Sequence, residues 1–224
     1  KAVDLSPDNL PLIRSLVTLL TASNRQPQAV AVLRRIVDAT EDGVASQEIR
    51  AWARRTLAEL AARNGNYRDM IEAVAELARN QDRKGRPAAE DMILSIGLLS
   101  SRPEADAWRQ AIALLEALAE RRPLSAPERM QRAELLDRSG RWEDCRQDVL
   151  SLAEEADISP VALATCVERL IRHDELEPAA ALLKILTARA PTTASVIALQ
   201  VKLAMAQDDR AAAVDAVRRL ATSE

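Results

Sequence analysis

The chain has 224 residues, a net charge of −3 from 31 basic and 34 acidic side chains, and 48% hydrophobic residues with no phenylalanine. That near-balance offers no general attraction to nucleic acid or anionic lipid, and no run of about 18 apolar residues is present to cross a membrane. Only 5 glycines and 2% aromatics accompany abundant Ala and Leu; these are strong helix formers, alternating β-branched runs are not evident, and an all-α chain is predicted.

Taken in order, the chain divides into short helical units. Residues 1–7, ending at Pro7, read as the tail of a second helix from an earlier unit. Unit 8–41 turns at Asn24-Arg25-Gln26-Pro27 and continues as a helix through Asp38. Unit 44–81 turns at Asn64-Gly65-Asn66 and enters its second helix at Tyr67. Unit 87–122 has its second helix starting near Ala105. In unit 125–157, Ser125 and Glu128 make a capping box. Gly140 ends that first helix, because glycine accepts the left-handed conformation just past a helix end; the partner helix runs from Trp142 to Ala156. Unit 159–190 opens on Ser159-Pro160, a side-chain cap followed by proline at the first helical position. Its first helix reaches His173, and Asp174-Glu175 turns into a helix ending near Arg189. Pro191 separates it from unit 192–223, with helices over Thr193–Ala206 and Asp209–Thr222.

The units share a register. Ala111, Cys145, Ala179 and Ala213 are each 34 residues apart, as are Leu115, Val149, Leu183 and Val217, and Leu118, Leu152, Leu186 and Leu220. Within each helix these positions lie at i, i+4 and i+7, one buried stripe. Upstream, the matching residues are Met70 and Ala29, at steps of 41. The extra residues are expected around 41–48, 83–87 and 101–106. A fixed step of about 34 residues marks repeats built of two helices.

Specific residues extend this into a resemblance. Gly65-Asn66-Tyr67 with Met70, Val74 and Leu77, and Gly140-Arg141-Trp142 with Cys145, Val149 and Leu152, resemble the turn and second helix of the tetratricopeptide repeat. Ile96-Gly97 resembles the Leu-Gly pair of that family's first helix. Pro7, Pro87, Pro123 and Pro191 sit at its inter-repeat proline, and Tyr67, Trp108 and Trp142 serve as packing aromatics. Elsewhere the small Gly is replaced, by Val17, Ala58, Ala133, Val167 and Val201. The resemblance implies one right-handed superhelical α-solenoid of about six antiparallel helix pairs over residues 1–224, cut from a longer array. It further implies a non-catalytic scaffold that binds a peptide or partner helix on a concave face lined by first helices. Carboxylate-binding members use Lys and Asn in the first units; Arg14 and Thr18 stand there in this chain, so that clamp is not carried over.

No Gly-rich phosphate loop, His-x-x-x-His pair, Cys-x-x-Cys or nucleophile elbow is present, so neither enzyme nor cofactor is expected. Cys145 and Cys166 fall on apolar stripes and are expected as small buried residues; His173 is expected as a surface or capping residue. One constellation stands out among the first helices. Arg63, Arg102, Arg138 and Arg172 occupy matching places near their ends, and Glu59, Glu134 and Glu168 precede three of them by four residues. Glu before Arg at i, i+4 is the favourable order for a helical ion pair. The same arginines could instead meet acidic side chains or a terminal carboxylate of a bound peptide, using their bidentate geometry. A protein or peptide partner is expected, without nucleic acid or membrane insertion. A structural spacer or homo-oligomerising segment of a larger protein is the alternative.

Overall fold

The computed structural model describes residues 9–38, 44–65, 67–82, 84–155, 157–190 and 193–221, with the side chains of 44–46 and 219–221 excepted. The expected tail at 1–7 with Pro7, together with Asn66 and Pro191, lies outside these residues. Among those described, every regular element is a helix.

Two compact units divide at Leu118 and Ala119. The first contains α1 (Leu10–Ala22), α2 (Gln26–Asp38), α3 (Val44–Asn64), α4 (Tyr67–Leu77), α5 (Ala89–Ser100) and α6 (Ala105–Ala119). The second contains α7 (Ala126–Arg138), α8 (Trp142–Ala153), α9 (Pro160–Arg172), α10 (Leu176–Arg189), α11 (Ala194–Ala206) and α12 (Arg210–Ala221). In the second unit each helix packs on its successor, and α9 also packs on α11, so first helices are neighbours there. In the first unit α3 packs on α5 in the same way.

Local chemistry places the helix ends. Asn9 caps α1 by accepting the Leu12 N–H at 3.1 Å, and Ser159 caps α9 by accepting the Ala162 N–H at 3.1 Å. At α7 the capping box is formed: the Ser125 N–H donates to Glu128 at 2.8 Å. Arg122 grips the same carboxylate through both terminal nitrogens, at 2.8 and 2.6 Å. These hydrogen bonds, Arg122 first, hold the Glu128 carboxyl down to about 2.

The turns within pairs share one backbone device. Gly140, Asp174 and Asp208, 34 residues apart, have φ of +73°, +60° and +55°, and Asn24 matches them at +57°. Each lets the next N–H reach back to a carbonyl in the last turn: Arg141 to Leu136 and Glu175 to Leu170 at 2.9 Å, Asp209 to Ala204 and Arg25 to Leu20 at 2.8 Å. This closes the helix end as a Schellman motif. Asp and Asn substitute for Gly because their short polar side chains tolerate the left-handed region.

The α5–α6 turn breaks the pattern, and its cause is one residue. Counting back from the buried Ile96 and Leu99, which match Ala133 and Leu136, Pro103 stands where Gly140 stands. Proline fixes φ near −65° and cannot adopt the left-handed conformation. The chain turns instead through Ser101–Glu104, and the Trp108 indole N–H ties it by donating to the Arg102 carbonyl at 2.5 Å. This corrects the expected register of that unit. Gly97 is not at a close helix contact: it is exposed, and a Cβ added to it would meet nothing within 4 Å. The buried small position is taken by Ile96, 2% exposed.

The two glycines therefore respond oppositely to alanine. Gly140→Ala is expected to destabilise the chain by about 1 kcal/mol through left-handed strain, since nothing lies within 4 Å of its Cβ position. Gly97→Ala is expected to stabilise by about 0.5–1 kcal/mol, as in any exposed helix interior. Urea denaturation of the two variants beside the parent checks both signs.

Candidate functional site

The first helices of the second unit carry the expected Glu and Arg residues in matching places, but pair them differently. Glu134 and Arg138 on α7 make the anticipated i, i+4 contact at 3.9 Å. On α9 the anticipated partners separate. Glu168 pairs with Lys202 of α11, 34 residues on, while Arg172 Nη1 reaches back to Asp137 of α7 at 2.9 Å. Arg169, with only 8% of its side chain exposed, approaches Glu134 at 3.8 Å. Apart from Glu134–Arg138, these charges stitch successive first helices together. The hydrogen bond from Lys202 holds the Glu168 carboxyl below the usual range, against the opposing effect of partial burial.

His173 belongs to the same seam. It is the residue just past α9, as expected of a capping position. Its Nε2 lies 2.6 Å from Asp137 Oδ1, and its ring stacks on Trp142 with centroids 3.7 Å apart and planes 10° apart. One carboxylate on α7 therefore fixes both the last arginine of α9 and the residue beyond it. Trp142 acts as a packing aromatic, with a partner that sequence reasoning did not assign.

The other predicted residues are placed less uniformly. Arg63 and Glu59 lie exposed on the last turns of α3 and form no ion pair with each other. Arg102 is out of register, two residues beyond α5. Its guanidinium lies against Met70, with Nε 3.3 Å from the sulfur. Arg138 and Arg172, by contrast, are the last residues of α7 and α9. Arg14 sits 5.5 Å over the Trp52 ring, and the Thr18 hydroxyl bonds back to the Arg14 carbonyl at 2.9 Å.

Two buried ion pairs escaped the sequence reading. Asp91 of α5, 1% exposed, receives Arg55 Nε at 2.5 Å and Nη2 at 3.1 Å. Asp148 of α8, 5% exposed, receives Arg132 through two bonds of 2.7 and 2.5 Å. Both are bidentate Arg–carboxylate bonds between helices, the geometry in which a buried charge is best compensated. The available signal was an acid beside a stripe residue, Asp91 before Met92 and Asp148 before Val149. Cys145 and Cys166 are free and buried. Burial raises both thiols, Cys166 to about 11, with the nearby Arg169 cation opposing. Among the described residues no cluster of three His, Cys, Asp or Glu could hold a metal ion, and no helix is long and apolar enough to cross a membrane.

With helix pairs, turns and seams in hand, the comparison with solved structures is decisive for the fold. Over 99% of its length the chain is similar to a tetratricopeptide repeat protein from Parabacteroides merdae, 82% of which is covered, at a TM-score of 0.53 and 15% identity. The fold is tetratricopeptide-like. No protein-family model matches the sequence, and no curated protein matches it. At that identity a tetratricopeptide-like chain shares a backbone plan with its structural neighbour, and its surface charges are its own.

A double-mutant cycle separates the two pairing schemes. Glu168–Lys202 is expected to show a coupling of about 0.2–1 kcal/mol, typical of exposed pairs, measured by thermal or urea unfolding with both residues changed to alanine. Glu168–Arg172 is expected to show less, because Arg172 is held by Asp137.

Proposed function

We propose that the chain is a non-catalytic scaffold that captures a protein partner, and that an extended acidic segment docks on the first helices of the second unit. The observation that carries this reading is the alignment of exposed charges on α7, α9 and α11. Arg138 and Arg172 end consecutive first helices with 37% and 59% of their side chains exposed. Their backbones are held by the ion-paired seam, so little ordering is needed on binding, and preorganisation favours affinity. A guanidinium presents its N–H donors in a planar fork whose geometry matches a carboxylate. Arg63 and Glu59 belong to the same helix-end pattern in the first unit; Arg102, turned onto Met70, does not contribute.

A second reading, self-association, is favoured by α12. Leu115, Val149 and Leu183 are 0–5% exposed, but Val217 at the matching position is 50% exposed, beside Val214 at 50%. An apolar pair of that kind offers a face to another helix.

One set of measurements tests both. Acidic peptides with free and amidated C-termini are titrated against the intact chain by fluorescence anisotropy, with light scattering at several concentrations. The scaffold reading predicts saturable binding that Arg138→Glu/Arg172→Glu weakens about tenfold or more, the loss of charged hydrogen bonds, with helical circular dichroism unchanged. Equal affinity in the variant sinks the groove. Mass rising with concentration, abolished by Val217→Lys, would favour self-association instead.

A further inference from the structure

We propose that the chain joins a second copy of itself head to tail, the α11–α12 end of one copy stacking on α1 of the next. This rests on the self-association reading of α12 and adds the face that α12 meets. The contact continues the interface by which helix pairs already stack on one another inside the second unit.

Contacts within that unit show which positions face forward, toward the following pair. On α7, Asp137 is held by Arg172 and His173 of the pair that follows. On α8, Arg146 reaches forward to Glu175 at 2.7 Å. Two steps of 34 residues on from Asp137 and Arg146 stand Met205 of α11 and Val214 of α12. Among the described residues no pair follows these helices. Met205 is 63% exposed and Val214 is 50% exposed.

The backward face is defined in the same way. Arg169 of α9 stands two residues beyond Val167, and its Nη2 approaches Glu134 of the preceding pair at 3.8 Å. That place is buried on the inner first helices: Leu60, Leu135, Arg169 and Leu203 are 3%, 1%, 6% and 8% exposed. On α1 it is Leu19, which is 65% exposed. Leu12 and Leu16 precede it at the spacing i, i+4, i+7, so the three leucines share one face of α1, and the first two are half-buried. Ile13 and Val17 turn instead into the core with Ala29 and Leu33. The one charge on α1, Arg14, lies over the Trp52 ring, so the leucine face carries none.

The two faces change chemistry together, and this selects a second copy as the occupant. At the inner seam a carboxylate, Asp137, meets Arg172 and His173. At the ends Met205 replaces the carboxylate, and Ala22 and Ser23 stand on α1 where Arg172 and His173 stand on α9. The left-handed residues that follow them, Asn24 and Asp174, fix this register. An inner first helix set against Met205 would lose the carboxylate for its cations, a costly desolvation. The leucine face and small residues of α1 carry no such demand.

The test is sedimentation velocity of the full chain at several concentrations, with Leu19→Lys and Val214→Lys beside the parent. Both positions are exposed, and thermal melts by circular dichroism check that neither change disturbs the fold. A head-to-tail contact leaves every complex with a free head and a free tail, so the parent is expected to grow past a dimer without a plateau. Each variant alone is expected to associate about tenfold or more weakly, from setting a charge against an apolar face. Mixed together, the two variants are expected to form a dimer and stop there, because one keeps its tail and the other its head. A parent that stays monomeric removes self-association and the head-to-tail contact together. A parent that associates while Leu19→Lys associates equally well overturns the head-to-tail contact alone and leaves a two-fold contact through α12. A variant mixture that stays monomeric while the parent associates also overturns it.

Discussion

Two helices joined by a three-residue turn leave that turn in contact, and the first buried side chain of the returning helix sets how closely they can meet. In the second unit that side chain is small in each pair: Cys145 and Ala179 are 0% exposed and Ala213 is 5% exposed. Everything else in the unit follows from that approach. The stripe beyond it, Leu115 and Leu118, Val149 and Leu152, Leu183 and Leu186, is carried into the interior. Each such Leu or Val contributes about 1.5–3 kcal/mol on burial. An exposed ion pair contributes about 0.2–1 kcal/mol. Packing therefore holds the stack, and the charges along the first helices adjust its surface.

The left-handed turn is the second half of the same constraint. A Schellman closure delivers the returning helix in register only if its pivotal residue can take a positive φ. Among the described residues Asn24, Gly65, Gly140, Asp174 and Asp208 supply it at five turns, and Pro103 denies it at the α5–α6 turn. The α5–α6 turn accordingly runs through Ser101–Glu104, with Arg102 lying beyond the end of α5.

The repeat step, the second-helix starts and the stripe were legible because they depend on side-chain size and period, which a linear sequence displays. The expected starts near Pro27, Tyr67, Ala105, Arg141, Leu176 and Asp209 fall within one residue of the helices observed. Pairing was legible only where it is local. Glu134 and Arg138 could be matched by spacing alone. Glu168 with Lys202, Arg172 with Asp137 and Arg55 with Asp91 span 34 to 36 residues, and long side chains choose among several neighbours across a seam.

If the small residue at the start of each returning helix governs the fold, enlarging it must disrupt packing even though a larger apolar side chain is more hydrophobic. The direct measurement is the urea unfolding free energy of Ala179→Leu, with circular dichroism to follow helix content. The account predicts a loss of about 1–3 kcal/mol from overpacking, with helicity retained before the transition. An unchanged or increased stability would contradict it, by showing that the pair has room that the 0% exposure of Ala179 conceals.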